Sequence, residues 1–392
     1  MKWWLGGWIA VCLSWAVQAG AHEAHTEQAT SGLAISVTSD EDGRIWRARA
    51  SKGQVLVSSS LDAGQHFGKE VAVNATPMKV AADAEARPKI AVAANGNIYL
   101  SWTEHLKTPY AGYIWFARSV NGGKSFETPY IVHQDRAEIT HRFDALQVAA
   151  NGTITVAWID KRDLLAAKAA GKPYEGAAIY YAVSTDQGKS FAPERKLADS
   201  SCECCRIAMT SKPDGTVAVL WRHVFEGHER DHAMAEIGQS AAPAIVRASY
   251  GHWKIDGCPH HGAALAVGEG FGYHLAYFDG AGDKPGLRVA RMDGEAWVTS
   301  PPRKIGDPKR NAGHPALLSM GEKVWLAWRE HDAKGMDIVA MTSLDGGKTW
   351  SSPVVMAHTA AKLDYPQWLN LRGQVMLAVN STDKGLQVIP AP

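Results

Sequence analysis

The sequence has almost no net charge, since its 41 Lys and Arg residues are balanced by 40 Asp and Glu residues. A chain without an excess of positive charge has no global field that attracts nucleic acid or an anionic membrane surface. We therefore expect neither nucleic acid nor a membrane surface among its partners.

The chain also lacks long apolar segments after its first 21 residues, so no membrane-spanning helix is expected in the mature protein. Those first residues follow the pattern of a secretory signal. Lys2 gives the positive end, residues 3–17 the apolar stretch, and residues 19–21 a cleavage site of small residues. We predict removal of residues 1–21, export to a bacterial periplasm and a flexible, His-containing tail at residues 22–32. A retained membrane anchor is the alternative.

Glycine-containing turns recur along the chain. The pattern Ser-x-Asp/Asn-x-Gly-x-x-aromatic occurs four times, at 60–67, 119–126, 184–191 and 343–350, with a degenerate copy at 293–297. In a tight hairpin of this kind, the Asp or Asn oxygen accepts hydrogen bonds from turn N–H groups, and Gly supplies the positive φ. The aromatic residue then packs the turn against its sheet. Four copies in one chain predict a repeat architecture.

Tryptophan is unusually frequent, with 15 Trp against 8 Phe. Period-2 alternation predicts strands at 97–104, 153–160, 216–223, 272–279 and 323–330. Each strand has an aromatic residue at the same position, and these residues form a column: Trp102, Trp158, Trp221, Tyr277 and Trp328. We interpret this column as packing between repeats, with ligand stacking as the alternative.

The repeats can be counted by their inner strands, which begin near residues 33, 81, 139, 199, 256, 309 and 363. The last repeat has enough chain for about three strands. These counts predict an all-β fold with a single β-propeller domain at residues 33–392, because radial repetition leaves few free edges. Seven blades are favoured, and six are possible if the two terminal segments share a blade.

With these turns and repeats, the sequence resembles the sialidase-like Asp-box (BNR repeat) β-propellers over nearly the whole mature chain. The Asp box implies the fold and not an activity. Sialidases bind the substrate carboxylate with three arginines, and they use a Tyr nucleophile paired with a Glu.

In this chain Arg87 lies in an Ala-Arg-Pro version of the sialidase family's Arg-x-Pro opening, which lacks the intervening residue. Arg142 and Arg206 open later repeats, and Tyr365 is the candidate nucleophile. The resemblance therefore implies an alternative function, an exo-acting sialidase-type glycoside hydrolase that binds its substrate through these residues.

The cysteines carry a second resemblance. The Cys-x-Cys-Cys segment at 202–205 and the Gly-Cys-Pro segment at 257–259 resemble motifs of a subgroup of exported bacterial propellers. This resemblance implies a shared site but no particular reaction.

Propeller topology brings these segments to one rim. The connections that enter inner strands lie on the face opposite the Asp boxes, together with the connections between the second and third strands of each blade. Counting back from the aromatic column places a set of residues beside the axis on that face: His141, Cys204, Cys205, His260, His261 and His314. Cys202 and Cys258 should be neighbours in this rim, and a connection with His228 and His232 joins it.

Thiols, imidazoles and thioethers together predict a soft metal site. Such ligands favour Cu(I), Cu(II) or Zn over Mg or Ca, and nearby Met209 favours copper over zinc. The candidate ligands are Cys202, Cys204, Cys205, Cys258, His260, His261, Met209, His228 and His232. Structural disulfides are the alternative for the cysteines, because an oxidising compartment allows them. His228 and His232 are alternatively solvated loop residues.

The mature N-terminus offers a separate copper site. Cleavage after Ala21 leaves His22 as the terminal residue, and cleavage after Ala19 leaves it third; either arrangement gives a nitrogen-rich chelate that suits Cu(II). A disordered tail is the alternative.

We therefore expect a non-catalytic periplasmic protein that binds copper and serves in metal handling. Its partner beyond the metal ion would be a periplasmic or outer-membrane metal-handling protein. The alternatives are the sialidase-type hydrolase and an interaction scaffold whose cysteines form structural disulfides.

Overall fold

The computed structural model of the protein describes residues 32–83, 85–238, 243–257, 259–282 and 285–392. These residues form seven sheets in succession along the chain, six with four strands and a last one with three. The protein is an all-β, seven-bladed β-propeller, so the favoured blade count and the three-stranded last blade are both confirmed. The predicted signal, residues 22–31 of the tail and Cys258 lie outside the described residues.

The strands of each blade run antiparallel from the inner to the outer edge in chain order. Blades 1 to 4 consist of β1 (Ser36–Ser39), β2 (Ile45–Ser51), β3 (Gln54–Ser60) and β4 (Val71–Ala72); β5 (Lys89–Val92), β6 (Ile98–His105), β7 (Gly112–Ser119) and β8 (Tyr130–Ile131); β9 (His141–Val148), β10 (Ile154–Asp160), β11 (Ala177–Ser184) and β12 (Arg195–Ser201); β13 (Ala208–Ser211), β14 (Val217–Arg222), β15 (His232–Ile237) and β16 (Val246–Arg247). Blades 5 to 7 consist of β17 (Ala264–Gly268), β18 (Gly272–Asp279), β19 (Gly286–Asp293) and β20 (Arg303–Ile305); β21 (Gly313–Met320), β22 (Lys323–Asp332), β23 (Gly335–Ser343) and β24 (Val354–Thr359); β25 (Gln367–Leu371), β26 (Gln374–Ser381) and β27 (Gly385–Pro390). The described residues include one α-helix, α1 (Arg162–Ala169), between β10 and β11. No helix in the described ranges is long and apolar enough to span a bilayer.

The apolar core is divided among the spaces between blades. Each of seven clusters joins residues of two consecutive blades, including the pair formed by blades 7 and 1. The predicted aromatic column lies in these spaces, and none of its five members is more than 3% exposed. This burial confirms the packing interpretation of the column. The ring closes where Gln367 accepts from the Val37 amide (3.0 Å) and donates to the Ile35 carbonyl (3.0 Å).

The four repeated turns connect the third and fourth strands of blades 1, 2, 3 and 6 and share one hydrogen-bond pattern. In each, the first Ser Oγ accepts from the amide of the fifth-position glycine at 2.8–2.9 Å. Those glycines have φ between 74° and 86°, and each packs against the preceding blade. A Cβ on Gly123 would come within 2.6 Å of Trp46, so this turn position requires glycine for contact as well as for conformation. The turns therefore fix the spacing of neighbouring blades on the face opposite the inner-strand entries.

Candidate metal centre and axial network

Three cysteines converge in the connection from β12 to β13, where the chain passes from blade 3 to blade 4. Cys202, Cys204 and Cys205 are all buried, with at most 6% of any residue exposed. The Cys202 sulfur lies 3.7 Å from that of Cys204 and 3.6 Å from that of Cys205, and all three sulfurs lie within 4.8 Å of one another. A disulfide would bring two sulfurs to about 2.05 Å, so no disulfide joins Cys202 to either neighbour.

Backbone hydrogen bonds hold this connection at both ends. The Cys202 amide donates to the carbonyl of Arg222 on β14 (2.9 Å), and the Arg206 amide donates to the Glu85 carboxylate (3.1 Å). Between these two anchors, Glu203 turns outward and forms an ion pair with Lys161. The alternation of one outward acid with three inward cysteines explains how Cys-x-Cys-Cys places all its sulfurs on one side.

The three thiols share their protons unequally. Hydrogen bonds from the thiols of Cys204 and Cys205 lower the pKa of Cys202 well below its ordinary value, against the effect of burial, and the positive charge of Arg222 adds to this. The hydrogen bond to Cys202 in turn raises the pKa of Cys205. The directions of these two pKa shifts favour ionisation of Cys202 over ionisation of Cys205.

The sulfur spacing suits a metal ion. A metal bound about 2.3 Å from two sulfurs at a tetrahedral angle separates them by about 3.8 Å. The observed separations of 3.6 and 3.7 Å are close to that value. The site therefore needs little rearrangement to bind a soft cation through thiolate.

His261 lies on the blade 5 side of this rim, and Arg222 connects the two. The Arg222 guanidinium donates to the Phe278 carbonyl at 2.8 Å and reaches the His261 carbonyl at 3.5 Å. The His261 ring stacks on Phe278 with centroids 4.0 Å apart, and its buried Nδ1 has no hydrogen-bond partner. Burial lowers the pKa of His261 to about 3, so the ring is neutral and its unpartnered nitrogen could act as a metal ligand. His260 beside it is exposed.

The structure does not group the other predicted ligands with the thiols. Met209 packs on the apolar cluster between blades 3 and 4. His228 is exposed and lies 3.6 Å from Glu175. His232 lies within β15, where its ring packs on Tyr277 at 4.9 Å and its Nδ1 is 3.3 Å from Ser249 Oγ. Cys258 and His22 fall outside the described residues.

A carboxylate from blade 2 connects to three other blades at the axis. Glu85 accepts from the Arg206 amide of blade 4 (3.1 Å) and the Gly262 amide of blade 5 (3.2 Å), and lies 3.0 Å from the His314 ring of blade 6. Burial disfavours its charge, but Arg206 and His314 outweigh that effect and lower the pKa of Glu85. The inner-strand starts of blades 4, 5 and 6 therefore meet around one ionised side chain.

The candidate substrate-binding residues divide into two groups. Arg87 forms a buried bidentate ion pair with Asp364 (2.6 and 2.8 Å), and Tyr365 stacks on His314 with centroids 3.8 Å apart. The guanidinium carbons of Arg87 and Arg329 lie 5.3 and 4.7 Å from the Tyr365 ring centroid.

The remaining two arginines are engaged by neutral groups. The Arg206 guanidinium donates to the carbonyls of Ala263 and Pro315 (2.9 and 3.1 Å). Arg142 lies over the ring of Phe143, 5.1 Å from its centroid. The three predicted arginines thus contact groups of the chain itself.

A second set of potential ligands, Glu229, Asp231 and His252, already surrounds a cation. Arg247 Nη2 lies 2.6 Å from Glu229 and 3.2 Å from His252, and it also binds Asp231. The guanidinium supplies the positive charge that these carboxylates require, so the geometry is that of an ion-pair network.

Sequence reasoning missed Glu85, Arg222 and Arg329. A signal existed for Glu85, because it lies two residues before the inner-strand start at Arg87, in the same class of position as the cysteines and His314. Arg222 ends the second strand of blade 4, and Arg329 lies in the last half of the second strand of blade 6.

Comparisons with solved structures find other propellers. The Hadza microbial sialidase Hz136 matches with a TM-score of 0.52 and 15% identity, over 87% of this chain and 74% of that chain. A polysaccharide lyase, the PL25 ulvan lyase, matches with a TM-score of 0.52 and 12% identity over 92% and 94%. The leech intramolecular trans-sialidase matches with a TM-score of 0.51 and 10% identity over 88% and 83%.

At these identities the likeness defines the fold, a seven-bladed β-propeller with sialidases among its structural neighbours. No protein-family model matches the sequence, and no curated protein matches it.

Proposed function

We propose that the protein binds Cu(I) through Cys202, Cys204 and Cys205 and serves in periplasmic metal handling. The observation that carries this proposal is the convergence of three buried sulfurs, with Cys202 3.6 and 3.7 Å from its neighbours. Thiolate is a soft ligand and selects soft cations such as Cu(I).

The number of sulfurs favours copper over zinc. Structural zinc sites are almost always four-coordinate, and the grouped residues in the described ranges supply three sulfurs. Cu(I) can be bound by sulfur ligands alone. Zinc at this site would need a fourth ligand from elsewhere, such as the unpartnered nitrogen of His261 or the sulfur of Cys258.

The electrostatics also support binding of a soft cation through thiolate. Two thiol neighbours and the nearby Arg222 lower the pKa of Cys202, so this sulfur loses its proton readily. Binding of Cu(I) displaces the protons of the other two thiols, so affinity should weaken as the pH falls. A metal-handling role implies transfer to a second protein, which we expect to be a periplasmic or outer-membrane metal carrier.

The test is a Cu(I) competition titration of the reduced mature protein against a chromophoric chelator. Replacing Cys202, Cys204 and Cys205 together by Ser should weaken Cu(I) binding by roughly 100-fold or more. His228→Ala, an exposed control, should leave the affinity unchanged. Circular dichroism and thermal melting should show that the triple variant stays folded, because the apolar core lies between blades.

Equal Cu(I) affinity in the triple Ser variant and the wild type would overturn the proposal. If the Ser variant unfolds, the three cysteines are replaced by Ala instead. This variant also lacks the sulfur ligands, but it avoids the free-energy cost of burying unpaired hydroxyl groups. A folded Ala variant that retains wild-type affinity would overturn the proposal equally. Deletion of residues 22–30 should affect only Cu(II) binding, since the His22 site contains no sulfur.

A second candidate is the sialidase-type hydrolase, which is favoured by the two arginines that flank the Tyr365 ring. The ion pair of Arg87 with Asp364 argues against it, because that guanidinium is already neutralised. We expect no release of sialic acid from a fluorogenic sialoside. Turnover that disappears in Tyr365→Phe would establish this function instead.

A further inference from the structure

A cationic cavity lies between blades 5 and 6 on the face that carries the repeated turns. It has a volume of about 220 Å³, and its polar and aromatic lining comprises His274, Arg291, Ser300, Arg303, Lys348 and Trp350. The first four residues belong to blade 5, and the last two belong to the repeated turn of blade 6 that packs against it. Among the residues that the structure describes, no acidic side chain lines the cavity.

Two of the lining side chains have buried nitrogens without partners. His274 and Arg291 face each other on β18 and β19, and His274 is fully buried. Within the described ranges, neither ring nitrogen of His274 has a hydrogen-bond partner, and neither does the buried Nε of Arg291. A buried donor without an acceptor costs about 1–3 kcal/mol, so the blade retains a cost that a ligand acceptor would remove.

The equivalent groove between blades 2 and 3 also combines an arginine of the third strand with a lysine of the next blade's turn, but there a carboxylate neutralises the arginine. There Arg118 faces Tyr99 across the strands, and Glu127 grips the Arg118 guanidinium with two hydrogen bonds of 2.8 Å. Lys189 of the next blade's turn lines that groove, as Lys348 lines the cationic one. The first groove therefore contains its own carboxylate.

Backbone register identifies the residue that replaces this carboxylate. The Glu127 amide donates to the Arg118 carbonyl (2.9 Å), and the Ser300 amide donates to the Arg291 carbonyl (2.7 Å). Ser300 thus occupies the position of Glu127. In the described part of the chain, Arg291, Arg303 and Lys348 form no ion pair, so three positive charges meet around a cavity without a counter-ion.

We infer that this cavity is a binding site for the oxyanion group of a small ligand: a sulfate, a phosphate or a carboxylate. The guanidinium of Arg291 and the ammonium of Lys348 supply charge-assisted donors, and the buried His274 ring supplies a neutral one. Trp350 gives an apolar wall for the carbon skeleton attached to the anion. This site is separate from the thiol cluster and does not depend on the metal.

Isothermal titration of the metal-free protein with inorganic sulfate, inorganic phosphate and glucuronate tests the inference. The wild type should bind at least one of the three, and the preferred probe identifies the oxyanion. Ser300→Glu restores the carboxylate found beside Arg118 and should weaken binding about tenfold or more. Arg291→Gln should weaken it by a similar factor.

Ser351→Glu is the matched control. The Ser351 amide donates to the Thr342 carbonyl, and its Oγ accepts from the Thr342 amide at 3.0 Å, as Ser300 Oγ accepts from the Arg291 amide at 3.0 Å. The Ser351→Glu substitution therefore adds the same charge at the equivalent position of blade 6, and it should leave the affinity for the oxyanion probes unchanged. Absence of binding by all three probes, or equal affinity in wild type and in a folded Ser300→Glu variant, would overturn the inference. If Ser300→Glu does not fold, Arg291→Gln decides, and unchanged affinity in that variant has the same meaning.

Discussion

The face that carries the inner-strand entries has two polar regions, one around Glu85 and Arg87 and one around Cys202, and they differ in how their charges are paired. Around Glu85 and Arg87, acids and bases from distant blades are matched, so the chain neutralises its own charges. Around Cys202, the sulfurs contact mainly one another, and the positive charge that acts on Cys202 is that of Arg222. The Arg87 guanidinium is already neutralised by Asp364, whereas the three buried sulfurs could hold a metal ion.

The same contrast separates the two outer grooves. Arg118 has Glu127, whereas Arg291 has Ser300 in the equivalent position. Here the backbone hydrogen bond is repeated, and one side chain, Glu127 or Ser300, decides whether the arginine has a carboxylate partner. We propose that function in this propeller follows from such departures from the repeat.

Removing the buried ion pair between Arg87 and Asp364 should have the largest effect on the free energy of unfolding. Asp364→Asn leaves the Arg87 guanidinium buried without its counter-charge, since the two side chains are only 5% and 7% exposed. Removing one partner of a buried pair costs about 3–5 kcal/mol, which denaturant unfolding would measure. Lys196→Met, which removes the half-exposed pair with Asp199, should cost no more than about 1 kcal/mol. Similar losses in the two variants would contradict this account of the axial network.

Acid should destabilise the protein through histidines that are buried in the neutral form. Burial lowers the pKa of His261 and His133 to about 3, whereas an unfolded histidine titrates near about 6.5. The unfolded state therefore binds more protons between these values, so the stability is complete above about pH 6.5 and falls as the pH is lowered. Each histidine contributes a loss on the order of 2 kcal/mol by about pH 5.

Denaturant unfolding of the metal-free protein at about pH 7.5 and about pH 5 measures this loss. His261→Phe keeps a ring on Phe278 and should make the pH dependence shallower. An unchanged slope would mean that His261 titrates at its ordinary pKa in the folded protein.

A smaller effect should distinguish the donors within the thiol side. Cys204→Ala removes one thiol donor and should raise the pKa of Cys202, visible as a shift in the ultraviolet absorbance of the thiolate on titration. Glu203→Gln, within the same motif but paired outward with Lys161, should leave that titration unchanged and cost at most about 1 kcal/mol of stability. If both variants shift the titration equally, the thiolate is set by general charge and not by the hydrogen bonds.

The fold was predictable because its signals are local and repeated. The repeated turn occurs in four blades and the aromatic column in five, and the inner-strand count predicted the seven blades and the short last one. The grouping of Cys202, Cys204 and Cys205 was predictable for the same reason, since they share one connection.

Contacts across the axis were not predictable from local patterns. Glu85 meets Arg206 and His314 over 121 and 229 residues of sequence. His232 was interpreted as a residue of a connection, but it begins β15, whose alternation turns the ring into the space between blades 4 and 5. A one-residue difference in where a strand starts decides whether a histidine faces the rim or the core.

Metal analysis of the protein purified from its native compartment, with thiol counting on the same sample, shows whether the three cysteines bind copper. We expect about one copper per chain and thiols at Cys202, Cys204 and Cys205 that resist alkylation until the copper is removed. A metal-free protein whose Cys202 is joined in a disulfide to Cys204 or Cys205 would contradict it.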